Sequence, residues 1–391
     1  MSVVILSGFA KGKNAHDSGS KACKEALHNQ NTENISAVMV FAPECFSLSE
    51  VCEGVRSELS GIEVGSMIGV TNTAEIVKNS GSSEDKVLVV FFSSKDLKFS
   101  SYHQPVESLS AEAGQKWSKG FVDKMTLKPS VMFLFSVDNL GVPEFFIDSL
   151  SENLPEAEFI GGSIPRKEDG NFVQFVDWEG CSDGVLALAV YGDISTQSGV
   201  TSDWVPIGKN YKVTRSNEEV VFSIENQPAV NFYKDYFGDS INQDIGKNIQ
   251  DFTVMYPLQV MRGLEQSEKV IRRPVTVNYD GSVSFDGSVP NDSEIQIMIK
   301  DSEKNLTETE KLFSSVSKNY FEAPFVFVIN DVSNKVYNGT ILNSMVSKFA
   351  GSTTVFGISS KYQYLKSREG NISNKPKSSF YTGSLAVCAF K

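Results

Sequence analysis

Gly69 to Ile76 reads GVTNTAEI, and this stretch gathers groups able to hold a small polar molecule. A glycine at the end of an apolar run lets backbone approach a ligand closely. Thr71, Asn72 and Thr73 add two hydroxyls and an amide, and Glu75 adds a carboxylate suited to an amine. The same residues also fit a plain strand end, with Gly69 at a bend, the threonines in a turn and Glu75 solvated. Arg272 and Arg273 offer forked donors for a ligand carboxylate, or else ion pairs with some of the 48 acidic residues. Covalent and metal-dependent catalysis find no constellation: His16, His28 and His103 stand apart, with no H-E-x-x-H, so no catalytic or metal residue is expected. GFAKGKN, Gly8 to Asn14, lies between a strand-like run and a helix as a phosphate loop would. It is one residue short, and Asn14 stands where a magnesium-binding hydroxyl is needed, so an ordinary turn is expected. Tyr211, Tyr233 and Tyr236 fit either a pocket wall or core packing.

The elements around the glycine repeat. VMVF at Val38, a helix near Leu48 to Leu59, Gly69 and VLVVFF at Val87 make one copy. VMFLF at Val131, a helix from Pro143 to Leu154, FIGGS at Gly161 and GVLALAVYG at Gly184 make a second. FVFVIN at Phe325, a helix near Thr340 to Ala350, VFGISS at Gly357 and SLAVCAF at Ser384 make a third. From first strand residue to glycine (Val38 to Gly69, Val131 to Gly161, Phe325 to Gly357) the separations are 31, 30 and 32 residues, which argues for an internal triplication. Each copy has a strand-then-helix prelude: Val3 to Ser7 with Asp17 to His28, Leu97 to His103 with Ser110 to Met125, and Glu294 to Ile299 with a helix carrying Leu306, Phe313, Val316 and Tyr320. Ser47 and Glu50 form a capping-box pair at the start of the Leu48 helix, whose Leu48, Val51, Cys52, Val55 and Leu59 make one apolar stripe for a sheet to cover.

A chain of 391 residues with 40% hydrophobic content implies two or three packed units. Its net charge of −12 repels phosphate backbones, so nucleic acid is not an expected partner. No apolar run reaches membrane-spanning length and the opening run is too short for a signal peptide, so no membrane partner and a cytoplasmic location are expected. Five scattered cysteines without C-x-x-C read as reduced thiols. The expected fold class is α/β: layered mixed β-sheets flanked by helices, in three related strand-helix units with a β-rich junction. Residues 1–193 hold two units, 1–95 and 96–193; residues 194–293 form the junction; residues 294–391 form the third unit. Within the junction a hairpin turns around Ser216 to Glu218, a helix runs from Ala229 to Phe237 and stops at Gly238, and two Asp-Gly steps in Asn278 to Pro290 mark a meander.

GVTNTAEI is similar to the G-x-[ST]-x-[AG]-G-E-[IL] stretch of the FIST family, and GCSDGVLALAVYGD at Gly180 to Asp193 follows it. WVPIGKNYKVT at Trp204, QPAVNFYKDYFG at Gln227, YPL at Tyr256 and IRRP at Ile271 then follow the family's junction pattern in order. The chain thus resembles a stand-alone pair of FIST-N and FIST-C domains, with the junction and third unit making the FIST-C-like part. Ala74 replaces a usual glycine, and in the third copy Tyr362-Gln363 and Thr382 replace the family's Gly-Glu and Asn. A ligand is therefore expected nearer Gly69 to Glu75, or between the halves, than at Gly357 to Gln363.

The resemblance implies a non-catalytic small-ligand sensing module of intracellular signalling, binding an amino acid or similar molecule through Gly69, Thr71, Asn72, Thr73, Glu75 and Arg272, with a signalling protein as a further partner. It leaves two alternatives: a protein-interaction scaffold of the F-box-associated type without its own F-box, and a haem-based gas sensor with a histidine, tyrosine or cysteine as axial ligand.

Overall fold

The computed structural model describes residues 3–28, 34–72, 74–77, 85–106, 111–138, 142–165, 172–202, 204–238, 256–262, 268–332, 344–366 and 379–391. The chain divides into two compact units, one of Met1–Thr201, Thr307–Phe380 and Ser384–Lys391, the other of Ser202–Leu306 with Tyr381–Gly383. Among the described residues no helix is long and apolar enough to cross a membrane.

The first copy supplies β1 (Val3–Ala10), α1 (Ala15–Leu27), β2 (Asn34–Ala42), α2 (Leu48–Glu58), β3 (Glu63–Thr71), β4 (Ala74–Val77) and β5 (Val87–Ser94). The second supplies β6 (Lys98–Gln104), α3 (Ala111–Asp123), β7 (Val131–Val137), α4 (Val142–Asn153), β8 (Glu158–Ile164), β9 (Gln174–Val176), β10 (Glu179–Cys181) and β11 (Val185–Tyr191). After β12 (Thr196–Ser202) come β13 (Trp204–Asn217), β14 (Val220–Ile224), β15 (Gln227–Pro228), α5 (Ala229–Phe237), β16 (Leu258–Arg262), β17 (Glu268–Arg272), β18 (Pro274–Val277), β19 (Val283–Phe285) and β20 (Glu294–Lys300). The third copy follows with α6 (Ser302–Tyr320), β21 (Phe325–Asp331), β22 (Thr354–Ser360), β23 (Tyr362–Lys366), β24 (Ser379–Thr382) and β25 (Ser384–Phe390). Its helix near Thr340 falls partly outside the described residues, of which 344–346 are helical.

The three copies share one strand plan. In each, two parallel strands bring the glycine of the repeat opposite an apolar residue: Val40 faces Gly69, Leu134 faces Gly161 and Val328 faces Gly357. The closing strand then returns antiparallel, β5 on β2, β11 on β7 and β25 on β21. Each of these β-strands is a nearly continuous apolar run, as strands covered on both faces must be. On the helix side, α2 buries Leu48, Val51, Cys52 and Val55. Its Gly54 lies so close to α1 that a Cβ there would stand 2.0 Å from the His16 carbonyl oxygen. On the other side phenylalanines from all three copies meet: the Phe41 ring lies 5.9 Å from Phe135 and 6.4 Å from Phe327, with Phe135 and Phe327 also 6.4 Å apart.

The copies also exchange strands in a ring. The three sheets run β1-β5-β2-β3-β9-β10, β24-β23-β8-β7-β11-β6 and β12-β25-β21-β22-β4. Thus the second copy lends β9 to the first sheet, the third lends β23 to the second, and the first lends β4 to the third. One element departs from the sequence reading. Glu294 to Ile299, expected as the opening strand of the third copy, forms β20 and pairs with β13 and β16, while β12 takes the outer place beside β25. The alternation that marks β20 as a strand does not say which sheet receives it.

The second unit is one antiparallel sheet, ordered β17-β16-β20-β13-β14-β19-β18 with β15 added to β14, around a core that includes Val213, Leu258 and Ile295. α5 ends at Gly238 with φ 70°, the left-handed stop that glycine permits. Tyr233 is buried in this core, and Tyr211 and Tyr236 pack against it beside Phe232.

Candidate ligand-binding site

The structure distributes the predicted residues. Gly69 looks toward the helix layer, where a Cβ would meet Cys52 Sγ and Met67 Cε at 3.2 Å and Phe175 Cβ at 3.3 Å. Two residues along the strand, Thr71 is fully buried, and its Oγ1 has no hydrogen-bond partner. Asn72 is 3% exposed and donates from Nδ2 to the Ser359 carbonyl oxygen at 2.8 Å, tying the first copy to the third. Thr73 lies outside the described residues. Glu75 sits on β4, whose neighbours Ala74 and Ile76 pair with Ile358 and Gly357. Arg272 belongs to the second unit, fully buried, donating from Nε to Ser288 O at 3.1 Å and from Nη1 to Ile271 O at 3.0 Å. Arg273 follows it, its main-chain N–H bonded to Asp286 Oδ1 at 2.8 Å.

Asn72 opens onto a cavity of about 230 Å³ lined by polar groups of all three copies. Glu44 comes from the first copy, Asp138 and Ser163 from the second, and Val332, Ser359, Ser360 and Lys361 from the third. Strand register shows that these positions correspond. Ala42 faces Thr71, Ser136 faces Ser163 and Asn330 faces Ser359, so Thr71, Ser163 and Ser359 are equivalent hydroxyls at three strand ends. Two residues beyond these facing positions lie Glu44, Asp138 and Val332, again equivalent. The carboxyl ends of parallel strands are where α/β sheets commonly hold ligands, because backbone groups and loop side chains converge there.

The polar network of this corner is asymmetric. Lys361 Nζ lies 3.3 Å from Asp138 Oδ2 and 5.1 Å from the Tyr362 ring centroid. Ser360 Oγ donates to the Ser163 carbonyl oxygen at 2.9 Å, and the Tyr362 N–H reaches Ser163 Oγ at 3.1 Å. Ser359 Oγ has no partner. Close by, Ser136 and Tyr364 join hydroxyls at 2.6 Å, and burial pushes the Tyr364 phenol far above its ordinary range. The third copy is therefore a full contributor, and its Ser359 to Lys361 corner shares one cavity with Asn72. Sequence reasoning missed Glu44, Asp138, Ser163, Ser359, Ser360 and Lys361. Aligning the three glycines and reading just past the end of each central strand would have brought Glu44 and Asp138 into view.

The histidines remain apart. His16 and His28 stand exposed at the two ends of α1, and His103 donates from Nε2 to the Asp183 carbonyl oxygen at 2.8 Å. Among the described residues no cluster of three or more His, Cys, Asp or Glu side chains could hold a metal ion.

The structure is thus a mixed α/β chain of three strand-exchanging copies with an antiparallel second unit, and with a polar cavity at the convergence of the strand ends. The chain belongs to the FIST family: residues 36–227 match the FIST N domain and residues 229–356 the FIST C domain. These domains are associated with signalling. A search of curated proteins finds no match. Among solved structures, the crystal structure of cyanuric acid hydrolase from A. caulinodans is similar over 99% of both chains, at 8% identity and a TM-score of 0.37. Another cyanuric acid hydrolase structure, described as evolutionary innovation by structural concatenation, covers 100% of both chains at 7% identity and a TM-score of 0.35. Likeness at this level carries nothing about activity.

Proposed function

We propose that the chain is the small-ligand-binding module of an intracellular signalling system, and that its ligand occupies the cavity where the three copies' strand ends converge. The observation that carries this reading is the origin of the lining: corresponding positions of all three copies supply it, with a buried amide, the unpartnered Ser359 hydroxyl and both signs of charge. A cavity of about 230 Å³ lies below the range of roughly 300–1,000 Å³ that holds drug-sized ligands, and suits a molecule of amino-acid size. Occupancy would join three sheets at one point, which is what a sensing module needs in order to report binding.

Native mass spectrometry and an absorption spectrum of the full chain purified without added ligand test this directly. The expected result is a retained small molecule of roughly 100–200 Da, the mass of a molecule that fills such a volume, lost in the Asn72→Ala variant. A Soret band would favour haem instead. A chain that carries no small molecule but holds a stoichiometric protein through purification would favour the scaffold reading.

A further inference from the structure

We infer that the molecule held in this cavity is a small monocationic amine, and that Glu44 is the residue that selects it. This rests on reading the cavity as the ligand site. Among the described lining residues there are two carboxylates, Glu44 and Asp138, and one ammonium, Lys361. Asp138 and Lys361 satisfy each other at 3.3 Å, so the pair is neutral and Lys361 is not offered to a ligand carboxylate. Glu44 makes no hydrogen bond or ion pair with any described residue and leaves the described lining one negative charge in excess.

The uncharged groups point to the same ligand. Asn72, 3% exposed, has committed Nδ2 to Ser359, which leaves its carbonyl oxygen as an acceptor. Ser359 Oγ is also unpartnered. With the Glu44 carboxylate these make three acceptors, and an ammonium group has three donors and no acceptor. At the third equivalent position stands Val332, 50% exposed, an apolar contact for the alkyl part rather than a third charge. An anion would meet the Glu44 charge, and a zwitterion would bring a carboxylate for which the described lining keeps no free cation.

Isothermal titration calorimetry on the full chain at low ionic strength tests the inference with n-butylamine, alanine and propionate as probes. The variants are Glu44→Gln, Lys361→Met and Asn72→Ala, with thermal melts to verify folding. n-Butylamine is expected to bind at least tenfold tighter than alanine, with propionate silent. Glu44→Gln should weaken the amine at least tenfold, and Lys361→Met, which releases Asp138, should tighten it. If alanine or propionate binds as well as the amine, and Asn72→Ala abolishes that binding, the cavity is the site but selection for an amine is overturned. Amine binding that Glu44→Gln leaves unchanged overturns the role of Glu44. If no probe binds and native mass spectra show a different retained molecule, lost in Asn72→Ala, the cavity stands and the amine does not. No binding and no retained molecule overturn both.

Discussion

At the scale of single residues, the five cysteines are all free, as their scatter in the sequence implies. Burial first, with Glu58 nearby, pushes the Cys23 thiol up to about 12, and burial also drives the Cys52 and Cys388 thiols well up. Only thiolate reacts with alkylating agents, so at pH 8 the native chain should show one fast thiol, the exposed Cys45. Cys181, half-buried with its thiol raised by burial, should react more slowly, and the other three only on unfolding. Mass mapping of iodoacetamide adducts over time checks this, and rapid modification of Cys52 would contradict the packing under α2. His103 gives a pH signature. Burial holds its imidazole below the ordinary range, opposed by its bond to Asp183. The unfolded chain therefore takes up the proton first as pH falls past about 6.5, so stability is lost below that value until the folded state protonates as well. Denaturant midpoints measured from pH 7.5 to 5 should fall for the wild type and fall less for His103→Gln. Residue types made the thiols legible, but not Arg272, because a guanidinium that can clasp a carboxylate can equally satisfy main-chain carbonyls, and only the surroundings decide.

At the scale of elements, the repeat was legible because strand, helix and glycine recur at nearly constant spacing, and the register confirms the correspondence at Gly69, Gly161 and Gly357. The exchange of strands was not legible, since a short strand such as β4 carries no mark of which sheet it will extend. Gly69 is required by this exchange. It faces Phe175 of β9, and a valine there would press on Cys52, Met67 and Phe175. Gly69→Val should destabilise the fold by roughly 1–3 kcal/mol, the usual cost of overfilling a packed core, as a lower midpoint in denaturant. The turn after β9 is held by Asp177, whose Oδ1 accepts from Met67 N at 2.9 Å and from Ser101 Oγ at 2.6 Å while φ of Asp177 and Trp178 are 46° and 73°. Asp177→Ala strands both donors and should cost about 1–2 kcal/mol, read in the same assay. If the variant melts like the wild type, the hairpin is not anchored through this carboxylate.

At the scale of the whole molecule, each of the three sheets is completed by a strand from another copy, so no copy holds a finished sheet. A fragment of residues 1–95 alone would leave the edge of β3 unpaired and should lack cooperative unfolding by circular dichroism. Mixing it with residues 96–391 should restore a cooperative transition, and a folded isolated fragment would contradict the exchange. Fold class was readable from apolar runs and turns, whereas the cavity was not, because its lining joins positions such as Glu44 and Lys361 that meet only once the ring closes. That ring also bears on how recognition can arise. Three identical copies around a common opening would present the same three groups, so a molecule with a distinct head and tail would have three indistinguishable ways to lie there. Glu44, Asp138 and Val332 are an acid, an ion-paired acid and a hydrocarbon at one repeated position, and this divergence gives the opening a single orientation. If the proposed ligand lies there, loss of likeness between the copies is what would let a shared hollow tell one end of a molecule from the other.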